Sequence, residues 1–428
     1  MHTSLLPRAF SHLAWSNLGA QSAEQLSLAA APLFAVLALG AGPGEIGTLT
    51  AFQTLPFLLL SLPLGVLADR LPRRRLMLWS ETLRCLALLS VLLMLYSGAL
   101  DIVWMAALGF AGAVGTVGFS VATPGLVALL VPRAALAQAN ARLELARSVA
   151  FAGGPAVAGA LVSWAGATAA FAVATVLSAS ALAQLLQLQL PRAATVGTSM
   201  RKRHPLREVA EGATFVWRNR LLRPIMMTGV IFNLSSFALQ AVYVPYAIRV
   251  LGLGTGAVGL TLALFGAGMM VGALAAAPIV ARLSLGRAIQ IGPIAGVLAA
   301  FSLAATLAMP SAAPAGLCFF LLGAGPMVWT ITTTTLRQSM TPDTLLGRVS
   351  AVFLTANAGA RPVGAALGGL VGSTWGDAAC LLMVLTGFIL QAVVILASRV
   401  GQLRELPAAH DDPDTSMERA ILDDFEQR

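Results

Sequence analysis

Gly65-Val-Leu-Ala-Asp69-Arg70-Leu-Pro72-Arg73-Arg74-Arg75 separates two long apolar runs, 46–68 and 75–96. A carboxylate and a cluster of guanidiniums are costly to place in hydrocarbon. The stretch therefore reads as a tight basic hairpin at a water interface between two membrane helices. Short Arg-rich loops stay on the cytoplasmic side, so the same residues also orient the chain.

The composition agrees with that reading. The chain is 57% hydrophobic and 11% charged, against about 25% charge in an ordinary soluble domain. A net charge of +9 taken alone would fit a nucleic-acid partner. The arginines, however, stand at the ends of apolar segments rather than on one soluble face, so no nucleic acid is expected. Residues 1–12 are too polar for a signal sequence, and the first apolar run is expected to be a retained helix.

A span takes about 20 apolar residues. Twelve segments qualify: 13–39, 46–68, 75–96, 102–130, 140–164, 168–190, 222–250, 255–283, 287–308, 314–336, 348–371 and 377–400. The loops after even-numbered segments hold Arg70, Arg73, Arg74, Arg75, Arg133, Arg282, Arg287, Arg337 and Arg348. The loops after odd-numbered ones contain no Lys or Arg, Arg249 being the sole outward candidate. Both termini are thus expected in the cytoplasm, with the chain multi-pass in the cytoplasmic (inner) membrane among its lipids.

The expected fold is all-α, with twelve helices in two six-helix bundles, 1–190 and 222–400. Between them, 191–221 forms a basic linker whose part from Leu206 to Leu221 reads as a helix on the membrane surface. Residues 401–428 form an acidic cytoplasmic tail. The halves repeat faintly. Gly154-Pro155-Ala-Val-Ala-Gly159 matches Arg361-Pro362-Val-Gly364, and Asn17-Leu18 with Glu24 matches Asn233-Leu234 with Gln240. Two related bundles with a site between them is a transporter plan, in which access alternates as one bundle rocks on the other.

Glu24 is the most informative residue, about halfway along the first segment beside Gln21, Gln25 and Ser27. A carboxylate at that depth must face a cavity, be paired or carry a proton, and a site that gains and loses a proton is what proton coupling needs. A structural carboxylate satisfied by Arg147 is the alternative. Arg147, two turns into the fifth helix, stands either in a cavity or at the interface. Arg361 lies deeper, directly before Pro362, and needs a partner there. Asn17, Gln21, Asn233, Gln240 and Asn357 are cavity-lining candidates, each equally suited to an interhelical hydrogen bond. Glycines in the fifth and eleventh helices favour close packing. Cys85, Cys318 and Cys380 fall inside apolar segments and read as packing residues.

Enzyme signatures are absent. There is no Walker A sequence, and His2, His12, His204 and His410 stand at no metal-ligand spacing. Neither a metal nor a cofactor is expected; the energy source would be the proton gradient.

The basic hairpin resembles the major facilitator superfamily, whose loop between helices 2 and 3 reads roughly G-x-L-A-D-R-x-G-R-R; Pro72 replaces the usual Gly. Three further stretches resemble its drug- and siderophore-exporter branch, which holds macrolide-efflux, enterobactin-exporter and lysophospholipid-transporter relatives. They are Glu24-Gln-Leu-Ser-Leu-Ala-Ala-Ala-Pro32, Leu126–Pro132 running on to Gly159, and Thr341–Val349 followed by Pro362 and Gly364. The resemblance implies a cytoplasmic gate of Gly65, Asp69, Arg70, Arg73 and Arg74, with Asp69 bracing the start of helix 11. It also implies that Gly154, Pro155 and Gly159 control bending of helix 5. Family antiporters carry an Arg in helix 4, whereas residues 102–123 hold no charge. Glu24 then leads as the coupling group, with Arg147 and Arg361 as partners or substrate contacts.

The expectation is an exporter of an amphipathic small molecule, drug-like or a siderophore, working as a monomer by alternating access and proton antiport. Lipid or metabolite uptake or flipping is the alternative. A non-transporting receptor or scaffold is the third reading, but it needs neither a basic gate nor an intramembrane carboxylate.

Overall fold

The computed structural model describes residues 7–132, 135–188, 205–342 and 345–404. Among them the chain forms α1 (Arg8–Ala38), α2 (Pro43–Arg70), α3 (Arg73–Ser97), α4 (Ile102–Leu130), α5 (Leu136–Gln187) and α6 (Pro205–Arg218). It continues with α7 (Leu222–Arg249), α8 (Thr255–Arg282), α9 (Leu285–Ala304), α10 (Ala312–Met340) and α11 (Leu346–Leu396). No strand occurs among the described residues. Eight helices, α3, α4, α5 and α7 to α11, combine the length and apolar composition of a membrane span. Helices α1 and α2, at 31 and 28 residues, also have the length of a span.

Helix starts follow local chemistry. The Asp101 carboxylate accepts from the Trp104 N–H at 2.8 Å ahead of α4, and Pro43 opens α2 where its missing N–H costs nothing. Two of the expected breaks are single residues. Gly166 (φ 78, ψ 172) divides α5 and Gly376 (φ 85, ψ 170) divides α11. That backbone region is essentially open to glycine alone, so each helix is two rods joined at one residue.

The packing repeats between the halves. Helix α1 packs mainly on α5 as α7 does on α11; α4 holds α2 and α3 as α10 holds α8 and α9. The halves meet along α2 with α11 and α5 with α8. Both seams are made by missing side chains. A Cβ at Gly47 would lie 2.6 Å from Gly369 Cα, and one at Gly159 would lie 2.6 Å from the Thr255 carbonyl oxygen. Beside the first seam, Arg249 Nη2 donates to the carbonyls of Gly40 and Ala41, both at 2.7 Å, tying the end of α7 to the turn between α1 and α2.

Helix α6 differs from the expected surface helix in extent and seating. It ends at Arg218, and its Val216 is fully buried among Leu222, Ile225, Val349 and Phe353. Glu211 pairs with Arg348 at the start of α11. An apolar residue that close to two bundle helices is better buried against them than left on lipid. The basic run 200–204 and the acidic tail beyond 404 lie outside the described residues.

Candidate functional site

Glu24 sits midway along α1, and α3 brings it a guanidinium. Glu81 and Arg84 are three residues apart and so share one face of α3. Arg84 Nη2 is bonded to Glu81, while its Nη1 lies 3.7 Å from Glu24 Oε2 and donates to Thr116 Oγ1 at 3.3 Å. The other Glu81 oxygen accepts from Ser178 Oγ at 2.6 Å. The guanidinium lies 5.5 Å from the centre of the Phe119 ring. Four helices thus converge on one buried charge cluster. Gly115 permits this, since a Cβ there would stand 2.4 Å from the Ser80 carbonyl oxygen and 3.2 Å from Arg84 Cβ.

Exposure ranks the three charges. Glu81 and Arg84 are 0% and 4% exposed and Glu24 is 16% exposed, so Glu24 is the most accessible of the three. Two carboxylates share one guanidinium, and a proton on Glu24 would leave the remaining pair neutral. Glu81 and Arg84 escaped the reading of the sequence. Their signal was present: two opposite charges, three apart, in the middle of the apolar run 75–96.

Arg361 occupies the second polar centre, on α11. Its Nε donates to Asn233 Oδ1 at 3.1 Å, and Asn233 Nδ2 donates to Asn357 Oδ1 at 3.2 Å and to the Gly229 carbonyl at 2.9 Å. Asn357 Nδ2 in turn donates to the Phe353 carbonyl at 2.8 Å. The guanidinium lies 5.8 Å from the ring centre of Phe57 on α2 and 5.5 Å from that of Phe237 on α7. Three sequence candidates are therefore brought together. Glu24 and Arg361 lie on opposite halves, and no ion pair joins them.

Other candidates stand elsewhere. Arg147 does not serve Glu24: its Nε donates to both Glu144 carboxylate oxygens at 3.0 and 3.1 Å on the same helix, with 39% of its side chain exposed. Asn17 is buried and donates to the Leu143 carbonyl at 3.4 Å, joining α1 to α5. Gln21 is half-buried and Gln240 exposed. Arg73 donates to the Gly125 carbonyl at 2.6 Å and Arg74 to the Leu186 carbonyl at 2.9 Å. Both guanidiniums sit near carbonyl-bearing helix ends, where the helix dipole favours a cation, and both bonds stay within the first half. A Cβ at Gly65 would meet open space. The side chains of Asp69 and Arg70 lie outside the described residues. Helix α5 stays helical through Pro155, with Gly154 against Gln25 of α1 and Gly159 against Gly259 of α8. No group of three metal-ligating residues occurs among the described residues.

A buried charge cluster with one partly exposed carboxylate, inside a repeated helical fold, accompanies a match to one family over residues 13–426, described as transmembrane secretion effectors. The chain belongs to this transmembrane secretion effector family of major facilitator transporters. It is 33% identical over 252 residues, 58% of its length, to an uncharacterized MFS-type transporter, y4rN, of Sinorhizobium fredii. That match spans 60% of the relative's length. It is 25% identical over 82% of both chains to the enterobactin exporter EntS of Citrobacter koseri. In fold it is similar to a bacterial homologue of the iron transporter ferroportin in an inward-facing state, with TM-score 0.73 and 18% identity over 92% of this chain and 99% of that one. The family and these relatives are membrane transporters, not enzymes.

Proposed function

We propose that this transmembrane secretion effector is a secondary active carrier of the cytoplasmic membrane that exports an amphipathic small molecule, drug-like or a siderophore, by proton antiport. The observation that carries the proposal is Glu24: half a helix deep, 16% exposed and 3.7 Å from a guanidinium that already holds a second carboxylate. Protonation removes the Glu24–Arg84 attraction without orphaning Arg84. A site that can change charge at low cost to its surroundings suits a coupling group.

In this reading α5 and α11 each supply two spans and α1 and α2 one each, giving twelve in two six-helix bundles with both termini cytoplasmic. One chain suffices. The seams at Gly47–Gly369 and Gly159–Gly259 then lie toward the outer face, and substrate enters from the cytoplasm between the bundles. Protonation of Glu24 from outside favours release and return. Asp69 and Gly154–Pro155 keep the gate and bending roles that the family resemblance implies.

Uptake is the second reading, favoured by Arg361. An anion held there would be repelled by an ionised Glu24 and would bind better beside a protonated one, so anion and proton would travel together.

Proton flux in inside-out vesicles tests both. The lumen is acidified and a panel of hydrophobic drugs, siderophores and lysolipids is added outside. A compound that drains the gradient in wild type but not in Glu24→Gln supports antiport. Substrate movement with the gradient untouched, and unchanged by Glu24→Gln, would sink the coupling role. An anion preloaded in the lumen that leaves together with protons would establish uptake.

A further inference from the structure

Arg361 stands midway along the first rod of α11 with no counter-charge at ion-pair distance among the described residues. Arg84 pairs with Glu24 and Glu81, Arg147 with Glu144, and Arg348 with Glu211. Among the described residues no carboxylate comes within ion-pair distance of Arg361; its bonded nitrogen is Nε, on Asn233. An intramembrane guanidinium without a partner is costly, and such residues mark substrate or ion pathways.

We infer that Arg361 is an oxyanion-binding point in the path between the halves, and that the ligand it takes is an aromatic or other flat apolar body bearing a carboxylate or phosphate. Three features build the site. The Asn233–Asn357 pair fixes the guanidinium through Nε, and Asn233 is itself anchored to the Gly229 carbonyl. The two Nη nitrogens donate no hydrogen bond among the described residues, which leaves free the fork that grips an oxyanion with two parallel bonds. Phe57 and Phe237 approach the guanidinium at 5.8 and 5.5 Å and offer ring surface to the apolar body of the ligand. Phe57 belongs to α2 and the remaining residues to α7 and α11, so a ligand here touches both sides of a seam that must open and close. Occupancy would thereby bias the movement of the halves.

The inference rests on the carrier reading for its cavity, but not on the direction of transport. The test uses the full-length protein in lipid nanodiscs and matched probes: 1-naphthoate with its neutral isostere 1-naphthamide, and 1-naphthyl phosphate with 1-naphthol. Binding is read by titration calorimetry. At least one anion is expected to bind wild type roughly tenfold more tightly than its neutral counterpart, as a charge-assisted bidentate contact would give. Which anion does so separates a carboxylate from a phosphate ligand. Arg361→Gln should abolish the preference while leaving the thermal unfolding midpoint unchanged. If that variant does not fold, Arg361→Lys, which keeps the charge and loses the fork, should lower the preference several-fold. Equal binding of anion and isostere, no binding of either anion, or a preference that survives both substitutions overturns the inference. Proton flux on the same preparation separates the two ideas. Flux driven by neutral or cationic compounds and insensitive to Arg361→Gln overturns the anion site and leaves the carrier standing. Anion binding lost in Arg361→Gln, with no compound moving, supports the site and overturns the carrier.

Discussion

Arg84 Nη1 lies 3.7 Å from Glu24 Oε2 while Nη2 of the same guanidinium is bonded to Glu81. One cation therefore serves two carboxylates on different helices, and the two are not equivalent. Glu81 is fully buried and also bonded by Ser178; Glu24 is partly exposed. The buried pair is satisfied on several sides, and in the proposed reading Glu24, the more accessible carboxylate, is the one that changes its charge.

Substitution should separate those roles. Glu81→Ala leaves Arg84 with a distant, part-exposed partner, and breaking a buried pair from one side costs about 3–5 kcal/mol. Glu24→Gln keeps the Arg84–Glu81 pair and should change stability by less than about 1 kcal/mol. Thermal unfolding in detergent measures both. Equal losses would mean that the three charges act as one structural unit and that Glu24 has no freedom to titrate.

The seam beside Arg249 makes a second prediction. A Cβ at Gly44 would lie 3.3 Å from Ser373 Cβ, close to the usual disulfide spacing of about 3.5–4.5 Å. In a background with Cys85, Cys318 and Cys380 replaced, Gly44→Cys with Ser373→Cys should crosslink readily under mild oxidation and arrest transport. Arg249→Ala removes the guanidinium from the Gly40 and Ala41 carbonyls and should slow that crosslinking several-fold. An unchanged rate would assign the closure to the glycine contacts alone.

Neighbouring glycines in α5 should behave oppositely. Gly159 faces backbone, with a built Cβ 2.6 Å from the Thr255 carbonyl oxygen and 2.8 Å from Gly259 Cα. Gly159→Val must push α5 from α8, with loss of transport. A Cβ at Gly153 meets nothing within 4 Å, so Gly153→Ala should gain about 0.5–1 kcal/mol from helix propensity. Unfolding midpoints and transport assays on the two variants check this. Loss of transport in Gly153→Ala would show that α5 needs flexibility there rather than room.

Much of this was legible in the chain, for identifiable reasons. Length and hydropathy locate helices because a span must satisfy its backbone internally, and the expected segments 102–130 and 222–250 fall on α4 and α7 within a residue. Glu24 and Arg361 were legible as charges at depth. Their partners were not, because partnership is set by packing between helices far apart in sequence. Asn233 and Asn357 were legible singly, but nothing local says that one bonds the other across 124 residues. Arg84 is the instructive omission. The arginine cluster at 73–75 draws attention to the end of α3, while the residue that holds Glu24 stands nine positions further in.

The linker helix allows a test of what seats it. Val216 is fully buried against the α7 and α11 cluster, while the adjacent Trp217 is 57% exposed. Val216→Asp would bury an unpaired carboxylate and should release α6, seen as faster hydrogen exchange across 205–218. Trp217→Ser should leave that exchange unchanged if the helix is held by protein, and accelerate it if the helix is held by lipid through its tryptophan. The Glu211–Arg348 pair is partly exposed, at 17% and 30%, so Glu211→Gln alone should raise exchange only about two- to fivefold, in line with a part-exposed ion pair. A larger effect of Glu211→Gln than of Val216→Asp would make the charge, not the apolar contact, the element that fixes α6 to the start of α11.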